Sequence, residues 1–236
     1  MTPQTLMNGL RQPLHALAAG AFAIALSLPA AAQDKMQLQL NWFQLADHSP
    51  IYLALKKGYY KEENIDLTVL RGSGSADAAK KIDLGQADVG ISDAPTVLTA
   101  ISKGANLKMV AVVYDKAGNN VFFRKSANIK TPKDLVGKKI AVPPADSHRV
   151  LWPAFAAING IDPASVTLVN VKPEGKQAIV AANEADGSFD LYTSYAIWEK
   201  VLGKGDVGNL LWADFGLPIY GHTYFVNNEL LQKNPK

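Results

Sequence analysis

Cysteine is missing from all 236 residues. That absence excludes thiol catalysis, Cys-based zinc sites, a disulfide framework and the lipid-modified cysteine that anchors a lipoprotein. The fold must therefore be held by its apolar core, which suits a chain of this length better than it would suit a mini-protein. An excess of one charge sign is missing too: 24 Lys and Arg are interspersed with 21 Asp and Glu, which implies neither a basic face for nucleic acid nor an acidic tail. Histidine is scarce, at positions 15, 48, 148 and 222, with no His-x-x-x-His pair. A metal site would have to assemble from distant positions, so neither metal nor other cofactor is expected.

A second long apolar run is also lacking. Arg11 precedes the one uncharged run, Leu14 to Leu28, and Pro29-Ala30-Ala31-Ala32 follows it with the small residues a signal peptidase needs. The run is short for a membrane span. Residues 1–32 thus read as a signal peptide cleaved near Ala32, and the rest as an exported, soluble protein, in the periplasm.

What is present is alternation. Met36, Leu38, Leu40 and Trp42 recur with the period of a strand. Ser49-Pro50 then reads as a helix start with Ser49 as N-cap, and Gly58 as its stop. Strands over 65–71, 89–91 and 107–113 alternate with helices over 76–84 and 94–103. The pattern restarts with strands over 121–124, 139–142, 166–171, 189–192 and 209–212, and helices over 147–159, 177–183 and 194–202. A last strand over 221–227 puts Tyr224 and Val226 on one face and Phe225 on the other. This is the pattern of a wound α/β fold in two compact halves, with crossings near 114–120 and 216–222.

Leu40-Asn41-Trp42 followed by the run Ile51 to Val69, the segment Gly85-Gln86-Ala87-Asp88-Val89-Gly90-Ile91-Ser92, and the segment Ile129 to Val142 together resemble one family. It is the SsuA/THI5-like (NMT1/THI5) group: solute-binding proteins of ABC importers, together with pyrimidine-precursor binding and synthase proteins and with sulfonate and nitrate binders. The resemblance implies a two-lobed periplasmic-binding-protein fold of type II, with residues 33–115 plus 216–236 as one lobe and 116–215 as the other. It implies a monomer that closes its lobes over a small solute and is read by an ABC permease in the inner membrane. Members of the family continue for several helices past the return strand. This chain stops at Asn234-Pro235-Lys236, where such a helix would begin, so the sequence is expected to be a fragment lacking C-terminal helices of the first lobe. The related synthases carry a cysteine-rich, iron-linked motif. Its absence, with the export signal, points to a binder and not an enzyme.

In a wound lobe, ligands sit beyond the carboxyl ends of the strands, which selects a small set of candidates. Trp42 offers a flat face for stacking on a planar ring. Periodicity alone suits a core position equally, and the resemblance to the pyrimidine-binding branch turns it toward ligand. Adjacent Asp47-His48-Ser49 cannot form a triad, whose members must converge from separate positions. Asp47 is a rim hydrogen-bonding group or a helix cap, and His48 a rim contact. Ser73 and Gly74 precede a helix and could offer free N–H groups, or form a plain turn. Ser92 and Asp93 repeat that geometry, with Asp93 a cap or an acceptor for a ligand amino group. From the second half come Ser147, Glu174 and Tyr195. Arg149 could fork onto a carboxylate or sulfonate but equally suits the surface, and His222 reads as a hinge or cleft residue. The expected ligand is a small aromatic or heteroaromatic solute resembling a pyrimidine thiamine precursor. Sulfonate, nitrate and aromatic carboxylate are the alternatives.

Overall fold

The computed structural model describes residues 33–234, so the signal-peptide expectation for residues 1–32 lies outside the described residues. Two five-stranded sheets divide the chain. The first contains β1 (Asp34–Gln39), β2 (Ile65–Leu70), β3 (Val89–Asp93), β4 (Leu107–Val112) and β10 (His222–Asn227), in the order β2-β1-β3-β10-β4. The second contains β5 (Asn119–Arg124), β6 (Lys139–Val142), β7 (Thr167–Asn170), β8 (Gly187–Leu191) and β9 (Val207–Leu211), in the order β7-β6-β8-β5-β9.

The two orders are the same pattern. In each sheet three parallel strands meet one antiparallel strand that arrives from the other half, β10 between β3 and β4 and β5 between β8 and β9. Each half thus lends its last connection to its neighbour. The two crossing segments also pair with each other, through Val113 N–H to His222 O (2.7 Å), Gly221 N–H to Tyr114 O (2.9 Å) and Ala117 N–H to Ile219 O (2.8 Å). Asp34–Lys236 forms one compact unit.

The helices fall where the caps put them. α1 (Ser49–Lys57) has Pro50 in its first turn and ends at Gly58, whose φ of 82° lets its N–H turn back to Ala54 O and Leu55 O. Its N-cap is His48, one residue earlier than the Ser49 expected from the sequence. A short α2 (Tyr59–Glu62) follows, and Asn64 at φ 61° turns the chain into β2. α3 (Ser75–Asp83) and α4 (Ala94–Ser102) cover the first sheet, α5 (Ser147–Ile158), α6 (Lys176–Ala181) and α7 (Tyr195–Leu202) the second. The final helix α8 (Asn228–Lys233) starts at the Asn227 cap and not at Asn234, because the Asn227 side chain accepts from Glu229 N–H.

Both sheets are buried on two faces. Phe122 and Ala141 pack with Trp198 and Leu202 on one side of the second sheet. Their neighbours Val121, Phe123, Ile140 and Val142 pack with Trp152, Phe155 and Trp212 on the other, where Phe155 and Trp212 stack at 4.4 Å. In the first sheet Phe225 joins Ile82 and Val97, while Tyr224 leans on the cluster of Leu38, Leu40 and Ile51, which places those two on opposite faces as the alternation predicts. The edge strand β4 leaves Val110 and Val112 exposed.

Candidate functional site

The carboxyl ends of β1 and β3 in the first sheet and of β6 and β8 in the second meet around two adjoining cavities. The larger, about 240 Å³, is lined by Asp47, Asp93, the crossing segments (Tyr114, residues 116–119 and Gly221), residues 191–193, Leu211 and His222. The smaller, about 30 Å³ and so water-sized, includes Asn41, Trp42, Ser75, Asp146, His148, Lys176 and Asp190 in its walls. Asp47, Leu191 and His222 border both.

The first wall is a relay of hydrogen bonds. Leu45 N–H donates to His48 Nδ1 (3.4 Å), so the His48 proton sits on Nε2 and is donated to Asn41 Oδ1 (3.0 Å). Asn41 Nδ2 in turn donates to His222 Nε2 (3.1 Å), which leaves the His222 proton on Nδ1. That nitrogen is buried, has no hydrogen-bond partner among the described residues, and lies 3.9 Å from Asp47 Oδ2. The two imidazoles are parallel with centres 6.4 Å apart. Burial holds both histidines below their ordinary pKa, with Asp47 pulling each partly back and Asp93 helping at His222. They are neutral at pH 7.

Asp93 ends β3 and caps α4, its Oδ2 accepting from Thr96 N–H (2.9 Å). Its Oδ1, Asp47 Oδ1 and Asn119 Nδ2 are likewise buried without hydrogen-bond partners among the described residues. All four atoms belong to residues that line the larger cavity, and buried polar groups are ordinarily satisfied.

The second wall is organised by a buried cation. Lys176, 2% exposed, places its Nζ 3.0 Å from Asp146 Oδ2 and 3.3 Å from Asp190 Oδ1. Asp190 is fixed by Trp198 Nε1–H (3.0 Å) and by Leu191 N–H (2.9 Å), and Asp146 by His148 Nδ1 (2.6 Å) and by its capping bond from His148 N–H (3.0 Å). Burial alone would raise the Asp146 pKa, yet Lys176 and His148 outweigh it and hold the carboxyl well below the usual carboxylate range. Burial would lower the Lys176 pKa, and the two carboxylates outweigh that and raise it. The ammonium reaches across to the first sheet, 4.7 Å from the centre of the Trp42 ring.

Of the residues selected from the sequence, the structure brings Trp42, Asp47, Asp93 and Ser147 to the cavities. His48 is not at the rim: it is fully buried behind Asp47 and holds Asn41. Ser92 is buried with its Oγ on Ser75 O (3.3 Å). Ser73 is exposed and Gly74, at φ 148°, lies against Ala145; neither borders a cavity. Glu174 is exposed and pairs with Arg71. Tyr195 turns away to pack on Phe122 (6.0 Å) and Tyr192 (5.9 Å). Arg149 is spent on the Val142 and Pro143 carbonyls (2.9 Å each), which closes its fork to an anionic ligand.

Lys176, Asp146 and Asn119 escaped sequence reasoning. Asp190, at the end of β8, was within reach of the strand-end rule. Among the described residues no group of three or more metal-binding side chains occurs, and no helix is long and apolar enough to cross a membrane.

A family model described as NMT1/THI5 like matches residues 45–236. The chain is 25% identical over 198 residues to the formylaminopyrimidine-binding protein of Halalkalibacterium halodurans, covering 84% of this chain and 60% of that protein. It is 27% identical over 139 residues to the 4-amino-5-hydroxymethyl-2-methylpyrimidine phosphate synthase of Legionella pneumophila, covering 59% of this chain and 44% of that one. The chain thus spans less than two thirds of the length of these curated relatives. Among solved structures, the alkanesulfonate-binding protein SsuA from Xanthomonas axonopodis pv. citri, bound to MOPS, superposes with a TM-score of 0.70 at 18% identity, covering 86% of this chain and 69% of that one. The fold is that of the two-lobed periplasmic binding proteins.

Proposed function

The chain belongs to the NMT1/THI5-like family, and we propose that it is the solute-binding component of an ABC importer that captures a small pyrimidine-like ring. Residues 33–115 with 216–236 and residues 116–215 are the moving lobes, hinged at the paired crossing segments. The protein works outside the cytoplasmic membrane and presents its closed form to a permease.

The observation that carries this reading is that one cleft is walled by strand ends of both sheets, with unpartnered donors and acceptors on the residues that line it. Such a cleft recognises its ligand by hydrogen bonding between closing walls and needs no bond-making step. The formylaminopyrimidine-binding relative favours a pyrimidine as that ligand. A sulfonate, the class bound by the structural relative, would face the Asp47 and Asp93 carboxylates with the fork of Arg149 already engaged.

A thermal-shift series on the mature chain tests the reading. A ligand that binds only the folded state raises the melting temperature when in excess. The expected result is a rise with 4-amino-5-hydroxymethyl-2-methylpyrimidine and its 5-aminomethyl and N-formyl analogues, and none with alkanesulfonates or nitrate. A rise with sulfonates alone overturns it. Formation of a new product on incubation with pyridoxal phosphate and iron would replace binding by catalysis.

A further inference from the structure

The larger cavity is more selective than a general slot for a flat ring. Its orphaned groups are two carboxylate oxygens, Asp47 Oδ1 and Asp93 Oδ1, and two donors, His222 Nδ1–H and Asn119 Nδ2. Both carboxylates are buried, the Asp47 side chain 3% exposed and Asp93 4%. The one cationic side chain in the lining, Lys116, is half exposed and already paired with Asp214 at 3.3 Å. His222 is neutral, its Nε2 receiving the Asn41 amide. Among the described residues the cavity therefore has two buried carboxyl groups in its lining and no buried lysine or arginine beside them, unlike the neighbouring cluster where Lys176 pairs with Asp146 and Asp190.

Buried charges left without a partner are costly, and a ligand that brings the partner recovers that cost on binding. At about 240 Å³ the space is below the ~300–1,000 Å³ of drug-sized pockets and fits one ring with a short arm. Resting on the pyrimidine reading above, we infer that the solute carries a primary ammonium on a short arm, and that Asp47 and Asp93 take this group while His222 Nδ1–H and Asn119 serve the acceptor atoms of the ring. The discriminating feature of the ligand is then its charge. A neutral hydroxyl of the same shape leaves the two carboxylates unmatched, and an anion is repelled.

The test is isothermal titration of the full mature chain with two probes that differ at one atom, 4-amino-5-aminomethyl-2-methylpyrimidine and its 5-hydroxymethyl counterpart, at neutral pH where the amine is protonated. The aminomethyl probe is expected to bind about tenfold or more tightly, the scale of a hydrogen bond to a charged group. Asp93→Asn retains the capping oxygen toward Thr96 while removing the charge, and Asp47→Asn provides a second variant should the first fail to fold. Each is expected to lower affinity for the aminomethyl probe by more than it lowers affinity for the hydroxymethyl probe, so that the preference for the amine is erased. Equal affinities in the unaltered protein, or a preference that survives both variants, overturn the inference and leave the pyrimidine reading standing. If neither probe binds, the inference is overturned, while the pyrimidine reading is decided separately by the thermal-shift series with the N-formyl analogue and the sulfonates.

Discussion

The ammonium of Lys176 lies 4.7 Å from the centre of the Trp42 ring, joining the wall built on the first sheet to the wall built on the second. The aromatic face that sequence reasoning assigned to a ligand is thus covered by a side chain of the protein. A cation over an indole is worth about 0.5–2 kcal/mol, depending on how dry the site is. The two carboxylates on the same ammonium matter more, because removing Lys176 strands them both. Lys176→Met is expected to destabilise the fold by about 3–5 kcal/mol, against about 1–2 kcal/mol for Trp42→Phe, which keeps a ring under the cation. Urea midpoints at pH 7 measure both, and equal effects would show that the ring and not the carboxylates anchors the lysine.

A pH dependence follows from the two buried imidazoles. Burial sets the folded pKa of His48 and of His222 below the ordinary 6.5, with Asp47 opposing the shift in each case. As pH falls through that value the unfolded chain takes up protons before the folded one does. Stability is therefore full above pH 6.5 and is lost as pH drops toward the folded pKa values. Asp146 contributes no slope there, since its depressed pKa gives stability that is lost only below the ordinary carboxylate range, near 3.8. The melting temperature is expected to fall between pH 7 and 5, by about 2–4 °C for each kcal/mol lost. A His48→Gln, His222→Gln double variant should flatten that slope; an unchanged slope would assign it to other groups.

What could be read from the sequence and what could not divide along a physical line. Period-two alternation and helix punctuation are local, so the strand around Leu38, the stop at Gly58 and the opposed faces of Tyr224 and Phe225 were legible. The strand-end rule reached Trp42, Asp47, Asp93 and Ser147 for the same reason. Lys176 was not legible: a lysine in the first turn of a short helix reads as solvated, and only the fold reveals that Asp146 and Asp190, 30 residues before it and 14 after it, close around it. Glu174, two positions away, is the reverse case. It follows a strand as a ligand residue would, yet faces solvent and Arg71.

Glu174→Gln accordingly separates position in sequence from position in space. The Arg71–Glu174 pair joins the two halves, but both side chains are more than half exposed, at 62% and 54%. Exposed pairs contribute about 0–1 kcal/mol and are screened by salt. The variant is expected to melt within about 2 °C of the parent and to bind pyrimidine probes within about twofold of it. A tenfold loss of affinity in titration would return Glu174 to the ligand site.

Gly74 offers a way to separate closure from recognition. It precedes α3 at φ 148°, where a Cβ would stand 2.3 Å from Ala145 O, while Ala76 N–H donates to the same carbonyl at 3.4 Å. The contact joins the loop after β2 to the loop after β6, one from each sheet, and backbone cannot yield as a flexible side chain can. Gly74→Ala is therefore expected to wedge the halves apart, with an added strain because L-residues rarely adopt that φ. The larger cavity's orphaned groups are untouched by the change, so ligand discrimination should persist while affinity falls about tenfold or more, as expected when the binding-competent closed form is less populated. Small-angle scattering should show a larger radius of gyration for the variant than for the parent in the presence of ligand. An unchanged radius together with unchanged affinity would mean that the Gly74–Ala145 contact opens in solution and plays no part in closing the cleft.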